Sequence, residues 1–316
     1  MTYLLHGATL ALAWFVMVNA AMSAVVACVA RRARRSLLTL RLLPATASAA
    51  FVAGVFLPSF WWFEPRDFTE QFALTLMVLA AAAAAMLAGA VVRGAMAWQH
   101  AARRARAWTA AARALRFDGI DVPIFRIDSS RPVMALIGIL RPRLIVTRGL
   151  IEALTGEELA ASLAHEIGHH RAWDNLKRLT ILGAPDVLRW LPGTRRLEQR
   201  WAAAAEHRAD ASATGARDRS ARLALASALV KVARLMPAPA PFTEPISTLV
   251  GGGAIAARVH RLIDDGPQPS TERRRQSRPW ARGAAAMAAL AALVFGYAPL
   301  LATVHRATEI LVSTLP

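Results

Sequence analysis

The chain has 316 residues, 55% of them hydrophobic, and a formal net charge of +17. A basic protein this apolar does not read as a nucleic-acid binder, because its arginines abut long hydrophobic runs instead of interleaving with aromatic residues; that is the pattern of a membrane protein. One cysteine, Cys28, excludes an internal disulfide and a thiolate cluster, so any metal site must draw on histidine and carboxylate.

Residues 4–29 contain no acidic or basic side chain apart from His6 and are long enough to span a bilayer. Nothing basic precedes this run, and Arg31, Arg32, Arg34 and Arg35 come directly after it, so it is not an ordinary signal peptide. Positive charge stays cytoplasmic, which puts the N-terminus outside. A second span, 37–63, carries only Arg41, near its inner end where it can snorkel. It closes on Phe60, Trp61, Trp62 and Phe63, an aromatic belt for the outer interface. Glu64, Arg66, Asp67 and Glu70 then make a short, net-negative outer loop. The third span is 72–98, with Arg93 at its inner end, and His100, Arg103, Arg104, Arg106, Arg113 and Arg116 place the next segment in the cytoplasm.

From about residue 105 to 270 the composition becomes that of a soluble domain. Residues 120–127 read as a strand, and 133–140 and 144–147 as two more, joined at Arg141, Pro142 and Arg143. Thr155 is a plausible N-cap with Glu158 three residues on, opening a helix of small apolar residues. That helix carries His165, Glu166, Ile167, Gly168 and His169. Two histidines four apart share one helix face and can reach one metal ion. Glu166 sits where it can touch a metal-activated water, the H-E-x-x-H arrangement of zinc peptidases. Burying two histidines and a glutamate on an apolar helix is unfavourable unless something pairs with them.

Residues 176–191 are apolar but too short to span, and read as a helical pair packed on the domain or lying at the membrane surface. Residues 200–216 form an alanine-rich helix whose Glu206 and His207 are the candidates for a third metal ligand. Glu206 and Asp210 are one turn apart, so Glu206 can bind the metal while Asp210 accepts a hydrogen bond from a ligand histidine; a solvated acidic pair is the alternative. A further helix is expected at 221–235. The proline-rich 237–245 and Gly251, Gly252 and Gly253 form a loop near the site or a linker, the linker being preferred. Arg273, Arg274, Arg275, Arg278 and Arg282 precede a fourth span, 284–304, which leaves the C-terminus outside.

His165, Glu166, His169, Asp174 and Asn175, with Glu206 and Asp210 further on, resemble the BlaR/MecR-type membrane metallopeptidases. The related HtpX and CAAX-prenyl-protease group shares the H-E-x-x-H and E-x-x-x-D pair. Residues 141–150 and the stretch from Arg258 through His260 and Arg261 to Leu262 are similar to the BlaR type as well, as is the four-span layout. The resemblance implies a gluzincin with one Zn2+ per chain on His165, His169 and Glu206, Glu166 as the base and Asp210 behind a ligand. It offers His260 and Arg258 as transition-state stabilisers, although a structural salt bridge is the preferred role for each. By the same resemblance, the strand at 133–140 can pair with an extended substrate. The antibiotic-sensing members carry a penicillin-binding domain with an S-x-x-K serine. No Ser-x-x-Lys occurs in this chain, so β-lactam acylation of it is not expected.

The expected fold is a mainly α membrane protein, with four transmembrane helices and an α+β zincin-like domain holding a small β-sheet. Residues 1–104 form three spans, 105–270 the cytoplasmic zinc metallopeptidase domain, and 271–316 a basic linker, the fourth span and an outer tail. The expected function is zinc-dependent endoproteolysis of a protein or peptide substrate at a bacterial-type cytoplasmic (inner) membrane. A cytoplasmic transcriptional repressor is a candidate partner, in regulatory proteolysis, and no direct nucleic-acid binding is expected. The alternatives are a membrane-protein quality-control protease and a non-catalytic zinc-containing signal transducer, the latter disfavoured because a structural site needs no base.

Overall fold

The computed structural model describes residues 2–33, 36–65, 73–110, 112–115, 122–215, 218–235, 247–248, 255–264 and 279–314. It divides into two compact units: residues 1–90, 185–194 and 270–316, and residues 91–184 with 195–269. The linker expected at 237–245 and at Gly251, Gly252 and Gly253 lies outside the described residues, as does the start of the strand expected at 120–127.

In the first unit, the uncharged run at the N-terminus forms α1 (Thr2–Val29), and the second run forms α2 (Leu37–Phe63). With α3 (Leu74–Ala110), these are three helices long and apolar enough to cross a membrane. Near the C-terminus, residues 284–304, where a fourth span is expected, are helical within α10 (Pro279–Thr314), and the side chains of 279–295 are outside the described set. Leu10, Ala13, Phe56, Phe60, Leu76 and Val304 form the apolar core here. Polar side chains find partners on other helices, as an apolar surround demands. Trp14 donates to Thr308 Oγ1 at 3.1 Å, and Ser59 to the Leu301 carbonyl at 2.7 Å. A π turn at Val52–Phe56 interrupts α2, and Tyr297 donates to its Gly54 carbonyl at 2.7 Å.

Arg41 does not snorkel. It is 1% exposed, and its Nη1 lies 2.6 Å from Oδ2 of the equally buried Asp186. Asn19 grips the same segment, donating to the Pro185 carbonyl at 3.0 Å and accepting from the Val187 amide at 2.8 Å. A charge buried among apolar helices must be paired, and this partner lies 145 residues away in sequence. The expected helical pair at 176–191 therefore splits. Its first half is a helix of the second unit, and its second half is a 3-10 turn, Val187–Trp190, seated on α1 and α2.

In the second unit, α3 runs past the expected end of its span to Ala110 and leads into β1 (Ala112–Leu115), a strand the basic, alanine-rich sequence does not announce. The sheet continues with β2 (Ile124–Ile127), β3 (Met134–Ile137) and β4 (Arg143–Thr147), in the order β1-β2-β4-β3-β5, where β5 is Ser247–Thr248. Among the described strands, only β2 and β4 are parallel neighbours. The β3–β4 connection needs Gly138 at φ +89°, where an added Cβ would meet the Arg141 carbonyl oxygen at 2.6 Å. Alternation along the strands separates the two faces. Met134, Leu136, Leu144 and Val146 pack with Leu163, Leu225, Leu229 and Leu262, whereas Ala135, Ile137 and Ile145 meet Ala105 and Trp108 of α3.

β3 is not an open edge for a substrate. Ala135 pairs with Thr248 and Leu136 with Ser247, and the Asn175 side chain donates to the Leu136 and Gly138 carbonyls at 3.0 and 3.1 Å. That edge is already filled because a segment more than a hundred residues downstream returns to it.

Candidate metal centre

After α4 (Arg148–Ala153), the motif helix α5 (Gly156–Arg171) starts on the expected capping box. The Glu158 amide donates to Thr155 Oγ1 at 3.3 Å, and the Thr155 amide donates to Glu158 Oε2 at 2.8 Å. Glu158 also accepts from Ser227 at 2.6 Å and Lys231 at 2.8 Å, which ties the start of α5 to α8 (Arg219–Leu235). One turn apart on α5, His165 and His169 stand edge to face, with ring centroids 4.8 Å apart.

Glu206 comes from α7 (Thr194–Thr214). Gly168 allows α7 to approach α5, since a Cβ there would lie 3.1 Å from the Ala209 Cα and closer still to Ser212 Oγ. As a result Glu206 Oε2 lies 3.5 Å from His165 Nε2, and Glu206 Oε1 lies 3.5 Å from His169 Nε2. The ligand atoms of these three residues fall within 4.8 Å of one another. His165, Glu166 and His169 are fully buried, and Glu206 is 1% exposed.

Each imidazole is held from behind. His165 Nδ1 lies 3.0 Å from Asp210 Oδ1. His169 Nδ1 donates to Asp174 Oδ2 at 2.8 Å, a role that the H-E-x-x-H spacing does not announce. Both contacts fix the tautomer that turns Nε2 toward Glu206. Asp174 reaches His169 because Trp173 adopts a left-handed φ of +56° and swings α6 (Asp174–Leu182) back on α5. Two buried guanidiniums complete the layer. Arg258, on α9 (Ile255–Asp264), binds Asp210 at 2.6 and 3.0 Å and Glu206 at 3.0 Å, and Arg178 lies 3.7 Å from Glu206. Arg178 is equally unannounced. Its only signal is that it stands one turn after Asp174.

Electrostatics follow from this layering. Burial pushes the Glu166 carboxyl up, against the pull of the two imidazoles. Burial works against charge on His169 too, but Asp174 and Glu206 outweigh it and raise the imidazole to about 9. Against the same burial, Asp210 and then Glu206 raise His165, and the histidines and Arg258 hold Glu206 well below the ordinary carboxylate range.

The residues fit a divalent cation. Glu166, Asp174, Glu206 and Asp210 are four buried carboxylates gathered around the two imidazoles, with the Arg178 and Arg258 guanidiniums buried beside them. Among the described residues, His169 Nε2 and both oxygens of Glu166 carry no hydrogen bond, although buried polar groups normally do. A borderline-soft ion takes a two-nitrogen, one-oxygen donor set of the kind that His165, His169 and Glu206 offer.

His260 does not join the site. Its side chain is 80% exposed and pairs with Asp264 at 3.9 Å, because the helical period that turns Arg258 inward turns His260 outward. His207 likewise points away from Glu206, its Nδ1 lying 3.3 Å from Arg261, and half-buried His170 stands outside the ligand group.

No curated protein matches the chain. The model of peptidase family M48 matches residues 98–194. That stretch holds His165, Glu166, His169, Asp174 and Arg178, whereas Glu206, Asp210 and Arg258 lie beyond it and are placed by geometry. Over the motif helix and the sheet that leads into it, the chain is therefore similar to the M48 metallopeptidases.

Proposed function

We propose that this protein is a membrane-embedded, zinc-dependent endopeptidase that hydrolyses peptide bonds of a polypeptide substrate on the cytoplasmic side. The observation that carries the reading is the buried group of His165, His169 and Glu206 with the Glu166 carboxylate beside it. His165, His169 and Glu206 would hold the zinc, which when bound polarises the scissile carbonyl and acidifies a water. Glu166 takes the proton of the attacking water onto a carboxylate oxygen and returns it to the departing nitrogen. Asp174 and Asp210 keep both imidazoles in the ligating tautomer. Arg258 offsets part of the charge on Asp210 and Glu206, in the salt-bridge role preferred for it, and its Nη2 lies 3.4 Å from His165 Nε2.

The test is a set of variants of the full chain in lipid nanodiscs, scored for zinc content and peptide cleavage. Glu166→Gln should keep about one zinc per chain and lose cleavage, since the ligand set is intact. Glu206→Ala should lose both. Normal cleavage by Glu166→Gln would end the peptidase reading. Proteomics of cells expressing wild type against Glu166→Gln would then identify the substrate.

A further inference from the structure

Glu64, expected in a solvated outer loop, has a side chain only 5% exposed and stands between two imidazoles from different helices. His6 of α1 places Nε2 3.9 Å from its Oε1, and His305 of α10 places Nδ1 3.7 Å from its Oε2. Glu309, one turn after His305, completes a group with Glu64 and His305 whose ligand atoms lie within 4.8 Å of one another. The centre on α5 and α7 has the same form: Glu206 lies 3.5 Å from each of two imidazoles. Separations of 3.7 and 3.9 Å exceed a hydrogen bond. The 3.7 Å between His305 and Glu64 approaches the roughly 3.3 Å between donors that share one tetrahedral zinc at about 2.0–2.1 Å.

The surroundings suit a held cation. Phe63 stacks on the His305 ring at 5.5 Å and 24°, which orients it, and His6 is 4% exposed. Trp61 and Trp62, 63% and 65% exposed, form the aromatic belt beside Glu64, which sets the group at a lipid–water boundary. Glu309 is exposed and gives an ion access from water.

We propose that Glu64, His305 and Glu309 form a second metal site, for a divalent cation of the zinc class, at the aromatic-belt end of the spanning helices. His6 acts as a positioning residue on the other oxygen of Glu64. A nitrogen and carboxylate donor set of this size selects a borderline ion such as Zn2+ or Co2+ over Ca2+, which takes six or more oxygens. The ion joins the end of α2 to α10. This site does not depend on the peptidase reading.

The experiment uses the full chain in lipid nanodiscs, with His169→Ala and Glu206→Ala removing zinc from the other centre. After equilibration with Zn2+ and desalting, elemental analysis should find about one zinc per chain. Adding His305→Ala and Glu309→Gln should bring this near zero, and adding His6→Ala should weaken zinc roughly ten- to a hundred-fold. Circular dichroism and monodispersity confirm that each variant is folded. In parallel, His305→Ala with Glu309→Gln in the otherwise unaltered chain should lose one zinc relative to wild type. Absence of zinc from the folded His169→Ala, Glu206→Ala protein would overturn the site. So would zinc content unchanged by His305→Ala and Glu309→Gln in either background.

Discussion

Among the described residues, Glu166 has both carboxylate oxygens buried without a hydrogen bond, whereas His169 Nδ1 donates to Asp174 and His165 Nδ1 lies 3.0 Å from Asp210. That contrast assigns different work to neighbouring residues. Asp174 and Asp210 set geometry, so Asp174→Ala or Asp210→Ala should each weaken zinc roughly ten- to a hundred-fold without abolishing it, as competition with a chromogenic chelator would read. His207→Ala should be mild, because its side chain turns about 100° around the helix from Glu206. Arg258→Ala leaves Asp210 and Glu206 buried without their strongest cationic partner. A destabilisation of about 3–5 kcal/mol is expected from denaturant unfolding of the solubilised chain, with Arg258→Lys recovering only part because it cannot bind Asp210 bidentately.

At the scale of elements, the centre depends on how closely α7 lies on α5. Gly168 faces the Ala209 backbone, so Gly168→Val should force the helices apart and draw Glu206 away from the imidazoles. Zinc content should fall toward that of Glu206→Ala while the circular-dichroism spectrum stays helical; unchanged zinc would mean that the close approach is incidental. The capping box is a second control. Burial disfavours charge on Glu158, but Lys231, Ser227 and the Thr155 amide outweigh it and lower its pKa in the folded state. A depressed folded value means stability present above the unfolded pKa of about 4.5 and lost as pH falls through the folded one. The difference in unfolding midpoint between wild type and Glu158→Gln should therefore be full near pH 7 and shrink below about pH 4.5.

For the whole molecule, the proposed topology puts the arginine-rich segments in the cytoplasm and the aromatic belt outside. Reporter fusions at residues 67 and 316 should read outside, and fusions at 110 and 265 should read cytoplasmic. A peptidase domain found outside would remove any cytoplasmic substrate. Arg41 and Asp186 add a folding constraint at this scale. Because both are buried, Arg41→Leu alone should destabilise strongly, while Arg41→Leu with Asp186→Leu should recover much of the loss.

Local chemistry makes several features readable from the amino-acid order alone. Apolar runs of spanning length, nearly free of charge, mark α1, α2 and α3, the Thr155 and Glu158 spacing marks the start of α5, and two histidines four apart mark two members of the candidate metal-holding group. Each of these signals is complete within about one helical turn or one apolar run, so sequence alone carries it. Other features depend on residues far apart in the chain. Asp186 beneath Arg41, Arg258 across Asp210 and Glu206, β5 against β3, and Glu64 between His6 and His305 are all invisible in any window. Asp174 stands within the family-like stretch, yet its grip on His169 depends on the left-handed turn at Trp173. Buried charge must find a partner, but only the packing of helices decides which one it finds.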